Sequence, residues 1–155
     1  LKFFISQANR GYLNGLATEM GESTNSIRKE LNHLQLAGYL KKIKVDNKIE
    51  YKANTNHPMF EVLQKVVFKH LGLEDVVENV LERIGNVKQI IVVGDYAQGK
   101  DSGLIEIFLI GKELNMEYIN QIENKIEKLI GRKVNFYLSS KFNPNQNHIV
   151  LYETI

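Results

Sequence analysis

The sequence predicts an α+β chain of two modules, and three observations carry that prediction. Residues 21–31 read as a tight glycine turn, a helix cap and a helix with one apolar side. Formal charge divides along the chain: residues 1–72 hold 11 Lys and Arg against 6 Asp and Glu, net +5, and residues 73–155 hold 9 against 12, net −3. The apolar pattern also changes. Helical spacing followed by strict alternation fills the first part, and strand, helix and strand signals alternate in the second.

Residues 1–8 form an expected first helix with Phe3, Phe4 and Ile5 facing inward, and residues 9–11 break it. Residues 12–20 form a second, with Leu13, Leu16, Ala17 and Met20 on one stripe. Gly21 suits a left-handed helix stop, and Ser23 or Thr24 caps a third helix that runs to about 37, before Gly38. Residues 39–45 and 49–53 alternate apolar and polar side chains around Asp46, Asn47 and Lys48, the pattern of a β-hairpin. Three helices followed by such a hairpin define a winged helix-turn-helix. Pro58 then opens a long helix over 59–71.

Gly72 is the expected boundary, giving modules 1–72 and 73–155. In the second, Leu73, Val76, Val77, Val80, Leu81 and Ile84 share one helical face. A continuous apolar strand at 87–93, a glycine-bearing loop at 94–103, a strand at 104–110, an amphipathic helix at 115–130, a strand at 133–139 and a last strand at 148–152 complete a small α/β unit with a mixed sheet.

Composition narrows the function. A hydrophobic content of 43% supports packed cores, and the absence of cysteine removes disulfides and thiolate metal sites. The four histidines are scattered without metal-ligand spacing, so no metal and no cofactor is expected. No apolar run reaches the roughly 20 residues that span a bilayer. The expectation is a cytoplasmic protein with no membrane partner; the start at Leu1 leaves further native residues expected ahead of it.

The third helix carries the strongest functional signal. With Ile27, Leu31 and Leu34 turned inward against Leu13, Leu16 and Met20, the opposite side offers Ser23, Thr24, Asn25, Arg28, Lys29 and Asn32. Short polar and cationic groups on a protruding helix suit the major groove of double-stranded DNA. Thr24, Asn25 and Arg28, in its first turns, are the expected base readers. Lys29, His33, Lys42, Lys44 and Lys48 are the expected phosphate contacts. A homodimer would set two such helices in successive major grooves, with the helices at 1–8 and 59–71 as the expected seams.

Residues 16–31, with Leu34 and 37–40 after them, resemble the winged-helix domain of ArsR-type bacterial transcriptional regulators. Sensors of that family bind metals through cysteines or histidine clusters, which this chain lacks. Residues 87–139 resemble the minimal nucleotidyltransferase domain of the polymerase-β-like superfamily, through Gly94-Asp95-Tyr96-Ala97-Gln98-Gly99 and the strand after it. The resemblance implies a phosphate-cradling loop at Gly94, Asp95 and Gly99 and metal carboxylates at positions 104, 106 and about 135. This chain has Asp95 in place of the loop serine, Leu104 and Asn135 at two carboxylate positions, and only Glu106 as an acid. Two-metal catalysis needs several hard oxygen ligands around cations about 4 Å apart. The second module is therefore expected to be no enzyme, but a vestigial nucleotidyltransferase-like unit used for dimerisation, for sensing a small-molecule or protein effector, or for partner binding. An active nucleotidyltransferase with the winged helix as targeting module, and a protein-interaction adaptor, are the alternative readings.

Overall fold

A computed structural model of the chain describes residues 1–6 and 8–154. It is mixed α+β, with six α-helices and two sheets among the described residues. The chain divides into two compact units, Lys2–Gln64 and Lys65–Ile155 with Leu1. The sequence places the boundary at Gly72. The division into units falls inside a helix: Phe60 belongs to the first core, and Leu71 and Leu73, both buried, fall in the second unit. No helix among the described residues is long and apolar enough to cross a membrane.

In the first unit the elements are α1 (Lys2–Ile5), β1 (Arg10–Tyr12), α2 (Leu13–Met20), α3 (Thr24–Leu36), β2 (Leu40–Val45), β3 (Lys48–Ala53) and the start of α4 (Phe60–Leu71). α1 is one turn, shorter than the predicted 1–8, of which Gln7 lies outside the described residues. The predicted break at 9–11 is a strand. Arg10, Gly11 and Tyr12 pair with Lys52, Tyr51 and Glu50, and the sheet order is β1-β3-β2, all antiparallel. β1 escapes a sequence reading because three residues make no periodic pattern; only pairing with β3 defines it. Gly11 is there for space, since a Cβ would come 2.8 Å from the Leu16 side chain.

Phe3, Leu16, Ala17, Ile27, Leu31, Leu40, Tyr51, Ala53 and Phe60 form the core, flanked by Phe4, Leu13 and Leu34. Met20, predicted to join it, is half exposed at the last position of α2, beyond the reach of the packed stripe. Phe3 and Ile5 are buried within the protomer, so α1 offers no apolar surplus for a dimer seam; α4 keeps Val62 and Val66 exposed.

Gly21 closes α2 in the left-handed conformation, with Glu22 N–H bonding the Ala17 carbonyl at 3.0 Å. Ser23 caps α3, its hydroxyl oxygen accepting from Ser26 N–H at 3.2 Å. Asp46 and Asn47, with φ of 46° and 66°, make a two-residue turn between Val45 and Lys48, the geometry that matches strand twist. Lys48, predicted in the turn, is thus the first residue of β3.

The second unit contains α5 (Leu73–Arg83), β4 (Asn86–Val93), a 3₁₀ turn (Tyr96–Gln98), β5 (Leu104–Lys112), α6 (Met116–Ile130), β6 (Lys133–Ser139) and β7 (Ile149–Glu153). The sheet order is β6-β5-β4-β7. The pairs β5–β4 and β4–β7 are antiparallel, and β5–β6 is parallel across the α6 connection. One face buries Ile90, Val92, Ile105, Ile107, Leu109 and Val134 in a core with Val76 and Val80 of α5 and Ile119, Ile122 and Ile126 of α6. Leu81, predicted on the inner face of α5, is exposed because it leads the stripe by a third of a turn. The other face holds Ile91, Val93 and Ile110 under Phe108 and Phe142.

The capping of α3 gives a first test. Ser23→Ala is expected to lower stability by about 1 kcal/mol, read as a lower urea midpoint with unchanged slope. Ser23→Asp should restore most of it, which separates a helix cap from a contact to an external ligand.

Candidate nucleic-acid interface

Burial of Ile27 and Leu31 fixes the rotation of α3 about its axis. Arg28 and Asn32, one residue on from each, turn towards the hairpin, and Asn25 and Lys29 point away from the core. The Arg28 guanidinium donates to Asn25 Oδ1 at 3.0 Å, which directs its fork towards the N-terminal end of the helix.

A groove of about 650 Å³ separates α3 from the hairpin. Arg28 and Asn32 form one wall, Lys42, Asn47, Lys48, Ile49 and Tyr51 the other, and Tyr12 to Gly15 the floor. Four predicted site residues, Arg28, Asn32, Lys42 and Lys48, therefore converge on one concave surface. Thr24, Asn25, Lys29 and His33 are exposed on α3 outside that groove. Lys44 lies further along the same strand face as Lys42. Ser23 is engaged in the cap, bonding the Ser26 backbone and hydroxyl.

Sequence reasoning missed Tyr12, Asn14, Gly15, Asn47 and Ile49. Ile49 was accessible in principle, since period-2 alternation puts it on the Tyr51 side of β3. Tyr12 was not, because it reaches the groove through β1. Its hydroxyl donates to Glu50 at 2.8 Å, and that bond raises its pKa above the usual phenol value. The Lys48 ammonium stands 5.9 Å from the Tyr12 ring centroid, a cation–π contact beside the hairpin turn.

In the second unit, register brings the implied nucleotide-site positions together. Glu106 sits opposite Val93 on one side and Asn135 on the other, with Leu104 two residues away on the same face. The Tyr137 hydroxyl donates to Glu106 at 3.2 Å. A Cβ on Gly94 would collide with the Glu106 carboxylate, so glycine is what lets the loop pass over it.

The loop itself is closed by its own bonds. Gln98 and Lys100 N–H both donate to the Asp95 carbonyl, at 3.0 and 2.9 Å, and Gly99 N–H donates to the Tyr96 carbonyl at 3.1 Å. Ser102 N–H donates to Lys100, and Gly103 N–H to the Tyr96 hydroxyl, both at 3.0 Å. A phosphate cradle works by aiming unengaged backbone N–H groups at the anion; these five amides are already engaged. Asp95 adds a carboxylate beside Gly94. Among the described residues no three His, Cys, Asp or Glu side chains converge on a metal-sized point.

What holds the loop is a fully buried Tyr96 whose hydroxyl donates to Asp101. Arg132 clamps the same carboxylate with Nε at 2.8 Å and Nη2 at 2.6 Å. The Arg132 hydrogen bonds hold the Asp101 carboxyl down to about 2, from 3.8. Burial, then the bond to Asp101, raises the Tyr96 phenol. Comparison with family models, with curated proteins and with solved structures finds no match for this chain.

Two outcomes follow from this clamp. Tyr96→Phe is expected to destabilise the second unit by about 1–2 kcal/mol, leaving the Gly103 amide without its acceptor. Because the folded Asp101 titrates below its unfolded value, its contribution is complete above about pH 4 and fades as pH falls through about 2. An acid titration monitored by tyrosine fluorescence should show that loss in the native chain, and Asp101→Asn should remove this component.

Proposed function

We propose that the first unit is a winged helix-turn-helix that reads double-stranded DNA in sequence-specific fashion, and that the chain is a transcriptional regulator. α3 is the recognition helix, the hairpin is the wing, and the groove between them is the contact surface. One observation carries this reading: a buried apolar stripe that sets the rotation of α3, and a cross-strand register that puts Lys42 on the inner side of the hairpin, bring Arg28, Asn32 and Lys42 to one concave surface, with Lys48 of the outer side at its edge. Arg28, Asn25 and Asn32 have the donor and acceptor geometry that distinguishes base pairs in the major groove. Lys42, Lys44, Lys48 and Lys29 are point charges suited to phosphate. The net +5 of residues 1–72 supports attraction of a polyanion to this part of the chain.

The second unit is a nucleotidyltransferase-like fold that has given up catalysis. The engaged loop amides, the Asp95 charge and the neutral Leu104 and Asn135 all oppose a metal-bound triphosphate at this site. It serves association of two copies, effector sensing or partner binding, in a cytoplasmic regulator that works as a homodimer.

Selection of bound sequences from a random duplex pool tests the reading, and recovery of a consensus is the expected result. On that consensus, Arg28→Ala should weaken binding by about 1–3 kcal/mol and relax the choice of one base pair, with little change on random DNA. Lys44→Ala should weaken both alike and lower the salt slope by about one. A pool that emerges without enrichment, or equal losses for the two variants on both kinds of DNA, would overturn the assignment of α3 as a base reader.

A further inference from the structure

The three-stranded sheet has a second charged face. Leu40, Tyr51 and Ala53 point into the core, so Arg10, Lys41 and Lys52 lie on the opposite, outer side. Register aligns these three in one row: Arg10 faces Lys52 across β1 and β3, and Lys52 faces Lys41 across β3 and β2. Strands stand about 4.8 Å apart, so the row puts three cations on a base only about 10 Å wide. Like charges directly opposite one another destabilise a sheet. The strand residues of this face supply one carboxylate, Glu50, which bonds Tyr12 and pairs with Arg10 at 3.2 Å. Lys48 adds a fourth cation, and Ile43 and Val45 complete the face; Asp46 is the acid of the turn.

We propose that this outer face binds the sugar-phosphate backbone of a second DNA segment, across the sheet from the recognition groove. The choice of occupant rests on the DNA reading of α3; the cationic row does not. A single duplex seated against α3 leaves Lys41 and Lys52, beside the Arg10–Glu50 pair, without a phosphate contact. The row lies five residues, about 17 Å, from the hairpin turn, and a minor groove entered by that turn is only about 7.5 Å deep. Cations continue around the hairpin from Lys42 and Lys44 on the groove side, through Lys48, to Lys41, Lys52 and Arg10 outside. One class of polyanion accounts for both sides, and a duplex, with one charge per about 1.7 Å of axis, is the densest source of charge for a row this short. The protein thereby bridges two duplex segments.

The experiment uses the full chain, a bead-bound duplex and a second, dye-labelled duplex, with Lys41→Gln/Lys52→Gln compared with Arg28→Ala/Lys42→Ala. The native protein should bind the first duplex and capture the second. Lys41→Gln/Lys52→Gln should keep the first within about threefold and lose capture at least tenfold. Arg28→Ala/Lys42→Ala should retain sequence-independent binding, and adding Lys41→Gln/Lys52→Gln to it should weaken that binding at least tenfold and lower its salt slope by about two. Capture by Lys41→Gln/Lys52→Gln equal to native would overturn the proposal, since bridging would then run through paired recognition helices. Binding of polyglutamate but not of a second duplex would overturn it in favour of an acidic protein. Failure of the native chain to hold a first duplex strikes the reading of α3, whereas loss of the second duplex alone strikes only this inference.

Discussion

Everything that α3 presents depends on two apolar side chains. Ile27 and Leu31 occupy successive turns of one helical stripe and are buried against the core that contains Leu16 and Ala17. Full burial of each contributes about 1.5–3 kcal/mol, and the two together set the rotation of the helix. A rotation by one residue would swing Arg28 and Asn32 inward, at the desolvation cost of an unpaired charge. The core therefore enforces the exposure of the polar side. Small Ala17 and the missing Cβ of Gly11 let α2 lie close upon its neighbours, so the hairpin and α3 are referred to the same packed centre.

The second unit shows the opposite economy of polar groups. Five amides of its glycine loop and the buried phenol of Tyr96 are turned on groups of the loop itself. Tyr96, Asp101, Arg132 and Gly103 form a closed set in which every charge has a partner. Charge-assisted bonds of this kind are stronger than neutral ones and hold the loop in one arrangement. A loop rigid in its own bonds has no conformational freedom to offer an anion, and Asp95 and Glu106 give the neighbourhood the wrong sign of charge. Neutral side chains at 104 and 135 and a loop bonded to itself are two independent features that both oppose a metal-bound anion there.

Much of the fold could be read from local signals. The cap at Ser23, the stop at Gly21 and the hairpin emerge from the sequence because each is set by residues close to it in the chain, and the span Lys133–Ser139 emerges from its own alternation of side chains. β1 could not be read, because three residues acquire strand character only from a partner forty positions away. Met20 was misplaced because period alone cannot say where a core ends. Gly72 flanks the N-terminus of α5 and leaves space for the Ile130 side chain, and α4 carries the chain from one unit into the next. Of the candidate site, Arg28, Asn32, Lys42 and Lys48 were legible as residues. Their convergence was not, because it arises from strand register and helix rotation acting together.

That register also explains why lysines crowd the hairpin on both faces. A β-strand alternates sides, so a run such as Lys41, Lys42 and Lys44 cannot serve one surface: Lys42 and Lys44 project to the groove side and Lys41 to the outside. If only the groove mattered, Lys41 and Lys52 could be neutral, and their mutual repulsion with Arg10 would be absent. The sheet tolerates the repulsion because the row is open to water, where charges about 5 Å apart repel by less than about 1 kcal/mol. A cost that small is easily exceeded when phosphates neutralise the row and release counterions. On the proposal that a duplex seats there, the face is mildly strained alone and relieved on contact with the polyanion.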